Sequence, residues 1–172
     1  MDKVLSTVLL AVAGVICVVM VINAAYPAIT SSSGAISSAT SAMNERIRSQ
    51  IEIIHAAGEL LANGTWQDTN SNSDFDVFVW IKNVGTEKID DPTKCDVFLK
   101  GNSTVWAWIP YVDDAGGSYP QWSYSLENGS DWRKATTMKM DISYDATILP
   151  PGEYDIRVLI PNGVSDDHYF SM

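Results

Sequence analysis

The chain opens with a long segment that carries no charge. Residues 4–22 are mostly aliphatic, and after Lys3 the next charged residue is Glu45, so 41 consecutive residues lack a charged side chain. As one continuous helix those residues would extend about 60 Å, whereas the hydrocarbon core of a bilayer is about 30 Å thick. The pattern predicts a helix that can cross a membrane and whose second half enters another apolar surrounding.

The second half of this predicted helix has a seven-residue period. Ile29, Ile36 and Met43 recur at that spacing, and small residues, mostly Ala and Ser, occupy the positions between them. A heptad pattern is typical of helices that pack on helices, and small residues let their backbones approach closely. We therefore expect packing against like helices, with a flexible Ser-rich linker around Gly34 as the alternative interpretation.

We predict that the helix extends to about residue 62. Pro27 should bend it, because proline removes one backbone hydrogen bond, and the Asn63-Gly64 pair should cap its end. An apolar stripe along this predicted helix is expected to form a polymerisation interface. Its members are Val4, Leu9, Val12, Ile16, Ile22, Ile29, Ile36, Met43, Ile47, Ile51, Ile54 and Leu61.

The remainder of the chain has the pattern of an all-β domain. Short runs of β-type residues are separated by turn signals such as Asn-Gly, Asp-Pro and Pro-Pro-Gly. The seven predicted strands span residues 75–82, 94–100, 104–109, 119–126, 136–144, 154–160 and 167–170. The sequence thus predicts an α+β protein: a kinked hydrophobic helix over residues 1–62 and an immunoglobulin-like sandwich over residues 63–172.

Inward and outward positions can also be assigned within this β domain. Phe75, Val77, Val79 and Ile81 alternate as the inward face of one strand should. Tryptophans are expected to supply core or interface area. They are Trp80, Trp106, Trp108, Trp122 and Trp132.

The charge of the chain is strongly acidic and lies almost wholly in the β domain. Eleven Lys and Arg residues oppose 21 Asp and Glu residues, which gives a formal charge of −10. Such a surface repels nucleic acid, so a nucleic-acid partner is excluded.

Catalytic and cofactor motifs are missing from the sequence. It contains no GxSxG, HExxH, CxxC or GxxxxGK[ST] pattern, so we expect neither an enzyme nor a cofactor. His168 beside Asp166 and Asp167 could bind a metal, and the acidic, Asn-rich residues 68–76 could hold a cation such as Ca²⁺. Solvated polar loops are the favoured interpretation of both, so no metal site is predicted.

Cysteine positions and sequons bear on the location of the protein. Cys17 lies in the predicted helix and Cys95 in the β domain, and we predict no disulfide between them. Asn63, Asn102 and Asn128 each begin an Asn-x-Ser/Thr triplet, and the helical segment before Asn63 has none. These sequons are candidate N-glycosylation sites and favour an external β domain.

With these elements in place, the chain resembles the archaellin superfamily, which includes archaellum filament subunits and archaellar accessory proteins. The layout of apolar helix and β domain carries the resemblance, together with two motifs. Residues 79–85 (VWIKNVG) are similar to a strand-and-turn element of those β domains, and residues 149–164 are similar to their closing strands. Leu5 replaces the glutamate of bacterial type IV pilins, which favours the archaellin side of the superfamily.

The resemblance implies a structural subunit of an extracellular, archaellum-like filament that polymerises through its helix and serves swimming motility. It implies homo-oligomerisation, a membrane-inserted state before assembly, and an assembly ATPase and platform protein as separate partners. The alternative is a membrane-anchored, stator-like accessory protein whose β domain binds the surface-layer protein.

Overall fold

The computed structural model describes residues 2–101 and 105–172. By its internal contacts the chain divides into two compact units, Met1–Met43 and Asn44–Met172, the second of which we call the head. This division lies nearer the N-terminus than the predicted boundary after residue 62. In chain order the elements are α1 (Asp2–Arg48), β1 (Ile51–Gly58), β2 (Asp76–Asn83), a 3-10 turn (Pro92–Lys94), β3 (Asp96–Lys100), β4 (Ala107–Ile109), α2 (Val112–Ala115), β5 (Gln121–Leu126), β6 (Thr137–Ser143), β7 (Glu153–Leu159) and β8 (Ser165–Ser171).

Helix α1 runs through Pro27 without an interruption in its assignment. Near the proline, the hydroxyl of Thr30 donates to the carbonyl oxygens of Tyr26 and Pro27 at 3.1 and 3.0 Å. The bend expected at Pro27 stays a prediction. By length and composition, α1 is the one helix among the described residues that could cross a membrane.

The prediction that the helix reaches residue 62 is wrong, because α1 ends at Arg48 and β1 begins at Ile51. Isoleucines at 47, 51 and 54 fit a helical spacing, but Ile51 and Ile53 also alternate as a strand requires. Strand pairing decides between helix and strand here, since Ile51 lies opposite Asn83 and Ile53 opposite Ile81 in an antiparallel ladder. The β-branched side chains also favour the extended backbone.

The head is a sandwich of two antiparallel sheets, which confirms the predicted α+β class. Their strand orders are β1-β2-β6-β5 and β4-β3-β7-β8. The four residues predicted to face inward from 75 to 81 are all fully buried, and Met138, Met140 and Ile142 of β6 join them from the neighbouring strand. Ile156 and Val158 of β7 contribute from the opposite sheet. The core therefore lies between the two inner faces.

Six of the seven predicted strands match β2, β3, β5, β6, β7 and β8 to within a few residues. The predicted strand 104–109 is reduced to β4, and Thr104 lies outside the described residues. The eighth strand, β1, is the one that the sequence pattern placed on the helix.

Candidate functional site

The main candidate site is the surface of α1. The side chains of Ile29, Ile36 and Met43 are 63%, 64% and 66% exposed. Every residue from Lys3 to Arg48 is exposed. A helix that is apolar around its circumference belongs in a membrane or among other helices. The apolar surface of α1 is therefore the candidate site for association with a membrane or with other helices.

Nine of the twelve predicted interface residues lie on α1 and are exposed. They are Val4, Leu9, Val12, Ile16, Ile22, Ile29, Ile36, Met43 and Ile47. The other three must be corrected. Ile51 is 7% exposed within the head core, Ile54 lies on β1, and Leu61 follows it, so none of them continues the helical stripe. Their spacing matched a heptad, but strand pairing removes them from the helix.

Two carboxylates in the head are buried: Glu59, which the sequence did not single out, and Asp76, which ends the stretch considered as a cation site. Glu59 accepts hydrogen bonds from the indole Nε1 of Trp66 at 3.2 Å and from the backbone N–H of Thr69 at 2.7 Å. Asp76 is fully buried and accepts from the side-chain amides of Asn70 and Asn72 at 2.6 and 2.7 Å. These bonds attach the acidic, Asn-rich residues 68–76 to the sandwich.

Asp166 and Asp167, two of the possible metal ligands, have other partners. A carboxylate oxygen of Asp166 accepts the backbone N–H of Ile53 at 2.7 Å, and Asp167 pairs with Arg157 across β7 and β8. Because successive strand residues face opposite sides of a sheet, Asp167 points away from Asp166 and His168. Within residues 2–101 and 105–172, no group of three His, Cys, Asp or Glu side chains is arranged to hold a metal ion.

The tryptophans divide between the core and the outer faces of the sheets. Trp122 and Trp132 are each 1% exposed, whereas Trp108 on the edge strand β4 is 54% exposed. The guanidinium of Arg157 lies 4.8 Å from the ring centre of Trp106, and the ring of His55 lies 5.3 Å from that of Trp80. The outer faces therefore carry aromatic residues stacked with polar groups.

Charge and burial alter two pKa values that bear on experiments. Burial raises the pKa of the Cys95 thiol to about 12, so that thiol is unreactive at neutral pH. The Arg157 guanidinium donates to both carboxylate oxygens of Asp167 at 2.6 Å and lowers the pKa of that carboxyl. Cys17 and Cys95 are both free.

The described sequons differ in how their asparagines are bonded. Asn63 is exposed, and its side-chain oxygen accepts the backbone N–H of Thr65 at 3.0 Å. Asn128 uses both ends of its amide, accepting from the Thr137 N–H at 2.7 Å and donating to the Ala135 carbonyl at 3.2 Å. Asn102 lies outside the described residues.

Comparison with known proteins finds the same fold in solved structures of archaeal proteins. No protein-family model matches the chain. A protein of Archaeoglobus fulgidus, described only as uncharacterized, is 26% identical over 175 residues and covers 98% of each chain. The archaellum periplasmic stator protein FlaG from Sulfolobus acidocaldarius is 21% identical with a TM-score of 0.51, covering 71% of this chain and 99% of that one.

Two further structures extend this likeness. The FlaF and FlaG stator complex from the same organism contains a chain that is 21% identical with a TM-score of 0.51, covering 70% of this chain and 88% of that one. The archaeal flagellum of Methanospirillum hungatei strain JF1 is 11% identical with a TM-score of 0.50, covering 95% and 92%. At these identities the comparison establishes a shared fold.

Proposed function

We propose that this chain is a membrane-anchored structural protein of an archaellum-type surface apparatus. In this proposal α1 inserts into the membrane and the head stands on its outer side. Two similarities in fold support this proposal: about seven-tenths of the chain resembles FlaG, and nearly all of it resembles the flagellum subunit. The role is structural, with motility as the process that it serves.

Within that apparatus we place a stator-like accessory role first. The observation that carries it is the likeness to FlaG, which extends over 99% of that chain at nearly twice the identity of the flagellum match. The apolar stripe on the helix is shorter than predicted, because residues 51–58 form a strand of the head. A shorter stripe agrees with the accessory role. An anchor needs only residues 4–22 in the bilayer. The surface-layer protein is then a partner for the head.

A second candidate role is that of a filament subunit. The specific observation in its favour is the uncharged run of 41 residues, about twice the thickness of a bilayer core. The centre of a helical bundle excludes charge along its whole length, because an unpaired buried charge is costly. Ile29, Ile36 and Met43 would then face neighbouring copies, and an assembly ATPase and platform protein would supply the energy of growth.

Shearing of native cells separates the two roles. In the accessory role the chain stays in the membrane fraction, and cells lacking it keep their filaments but do not swim. In the filament role the chain is the main polypeptide of the sheared filaments by mass spectrometry, and cells lacking it are bald in negative-stain electron microscopy. Wild-type swimming and normal filaments in the deletion strain would contradict both roles. Negative-stain images of the sheared cells, from which the filaments should be gone, are the control for complete shearing.

We also propose that Asn63 carries an N-linked glycan on the external head. Its amide nitrogen makes no hydrogen bond among the residues that the structure describes, whereas the Asn128 amide closes the β5–β6 connection. Mass spectrometry of peptides from the native protein should find higher occupancy at Asn63. A glycan on Asn128 with Asn63 unmodified would refute this preference.

A further inference from the structure

The end of α1 is bonded to a loop of the head that we call the socket, residues 83–87. The Arg48 carbonyl accepts the backbone N–H groups of Thr86 at 2.7 Å and Glu87 at 3.3 Å. Two residues later, the Gln50 carbonyl accepts those of Val84 at 2.9 Å and Gly85 at 3.0 Å. Helix ends leave their last carbonyl groups without partners in the helix. Here a loop distant in sequence supplies partners at and just beyond the end.

Gly85 is required in the socket because there is no space for a side chain. An added Cβ would lie 2.4 Å from the Arg48 carbonyl oxygen and 2.5 Å from the Gln50 nitrogen. Both neighbours are backbone atoms, so relief requires movement of the chain at the helix end or of the socket. The close approach of the two backbone segments therefore requires a glycine at this position.

The side chain of Asn83 fixes the conformation of the socket. It is fully buried, and its amide nitrogen donates to the carbonyl oxygens of Glu87 at 2.9 Å and Trp132 at 3.0 Å. Its side-chain oxygen accepts the N–H of Gly85 at 3.0 Å. The side chain thus ties both ends of the loop to the sandwich, which gives the Asn-x-Gly motif a structural purpose beyond a turn.

Two arginines of the last helical turn add side-chain contacts. The Nε of Arg46 donates to the Asn162 carbonyl at 2.9 Å, and the guanidinium of Arg48 forms an ion pair with Glu87. Cations near a helix C-terminus are also favoured by the helix dipole. Backbone and side chains of residues 46–50 therefore bind the rest of the head at several points.

From this geometry we propose that the socket transmits force from the end of α1 into β2 and keeps tension off β1. Strand β1 begins two residues after the helix and is an edge strand that pairs with β2 alone in its sheet. Tension applied directly to it would load its ladder from the first pair, Ile51 with Asn83. Strand β2, to which the socket is joined, is held by neighbours on both sides. The inference applies to any role in which the helix is pulled, and it goes beyond the archaellum proposal.

Single-molecule pulling on the full chain tests this inference. The chain is held in a nanodisc, with one handle on Ser38→Cys in a Cys17→Ala background and the other on a C-terminal tag. Cys95 is buried and does not compete for the thiol handle. We expect the head with an intact socket to unfold in one step. Gly85→Ala should add an early step at lower force that releases up to about 35 Å, the extended length of residues 49–58.

The matched control is Gly34→Ala, because a Cβ added there meets no atom of the described residues within 4 Å. It should unfold as the parent does. A second variant covers failure of the Gly85→Ala head to fold, which near-ultraviolet circular dichroism would reveal. Arg48→Glu places like charges together and should produce the early step, and adding Glu87→Arg should remove it. An Arg48→Glu protein that unfolds in one step at the parental force would overturn the proposal.

Discussion

Ile36 on α1 is 64% exposed and Ile81 on β2 is fully buried, although the two side chains are the same. The difference reflects where the partner of each side chain lies. Ile81 packs between two sheets of its own chain, whereas no part of the described chain covers Ile36. The head thus buries its apolar side chains within one unit, whereas we expect those of the helix to be covered by a membrane or by another molecule. A change in each region should accordingly be detected by a different measurement.

The largest expected effect is loss of helix association in Ile36→Asp or Met43→Asp. A carboxylate placed among packed helices has no partner there, and burial of an unpaired charge is prohibitive. We expect complexes recovered by cross-linking in native membranes, or filaments in the second role, to disappear. The near-ultraviolet circular dichroism of the head should not change.

The matched control is Ile36→Leu, which keeps the apolar volume and should keep the complexes. Normal assemblies from both aspartate variants would show that residues 29–43 are a spacer, and would overturn helix packing as the purpose of this segment.

The next largest effect is on the stability of the head, and it is measured by replacing isoleucine with alanine once in the head and once in α1. Ile81→Ala leaves a cavity in the sandwich and should lower the free energy of unfolding of the head by about 2–5 kcal/mol. Ile29→Ala should leave that free energy unchanged, because the side chain contributes to association and not to the head core. Chemical denaturation of the full chain in detergent, followed by tryptophan fluorescence, compares them. Equal destabilisation by both would mean that α1 contributes to folding of the head.

The same contrast explains which parts of the fold could be predicted from the sequence. Alternation at residues 75–81 predicted β2 correctly, because an inward face and an outward face leave a period of two. Residues 47–61 contain apolar spacings that fit both a heptad and a strand. Only the partners of Ile51 and Ile53 across the ladder, which are distant in sequence, decide between them. The local sequence pattern was therefore not sufficient to locate the end of the helix.

The contacts of the candidate sites were harder to predict than the fold. The Asn83-x-Gly85 motif was recognised as a turn, but its contacts with Arg48 and Gln50 depend on a distant part of the chain. Glu59 and Asp76 are acidic residues in an acidic domain, so nothing in their local sequence marks them as buried. For Ile29 the sequence predicts packing against other helices, since a charge-free helix of this length exceeds what a bilayer needs, and that packing stays a prediction.

The buried carboxylate of Asp76 provides a smaller effect confined to the head. Asp76→Ala removes the acceptor for Asn70, Asn72 and the hydroxyl of Ser143, the last at 2.5 Å. Two of these donors sit in an exposed loop and can bind water, so we expect a loss of about 1–3 kcal/mol in the free energy of unfolding. Asp113→Ala, on the exposed turn α2, should change it by less than about 0.5 kcal/mol. Equal effects of the two substitutions would show that the Asp76 network contributes nothing specific.

The smallest expected effect is a pH dependence that the head has and α1 lacks. Arg157 lowers the pKa of the Asp167 carboxyl in the folded head, so their ion pair stabilises the fold above the ordinary pKa of aspartate. That contribution is lost as the pH falls through the lowered value. The wild-type protein should therefore have a slightly higher denaturation midpoint than Asp167→Asn at pH 7, and the difference should vanish towards pH 2.

Salt provides the control for this last prediction, because an exposed ion pair is screened and about 1 M salt should shrink the difference at pH 7. Association through α1 should be insensitive over the same acidic range, since its uncharged run contains no carboxylate or histidine. If association of the helices weakened in parallel with the Asp167 effect, the head would have to take part in holding copies together. The separation between a head that folds by itself and a helix that only associates would then be wrong.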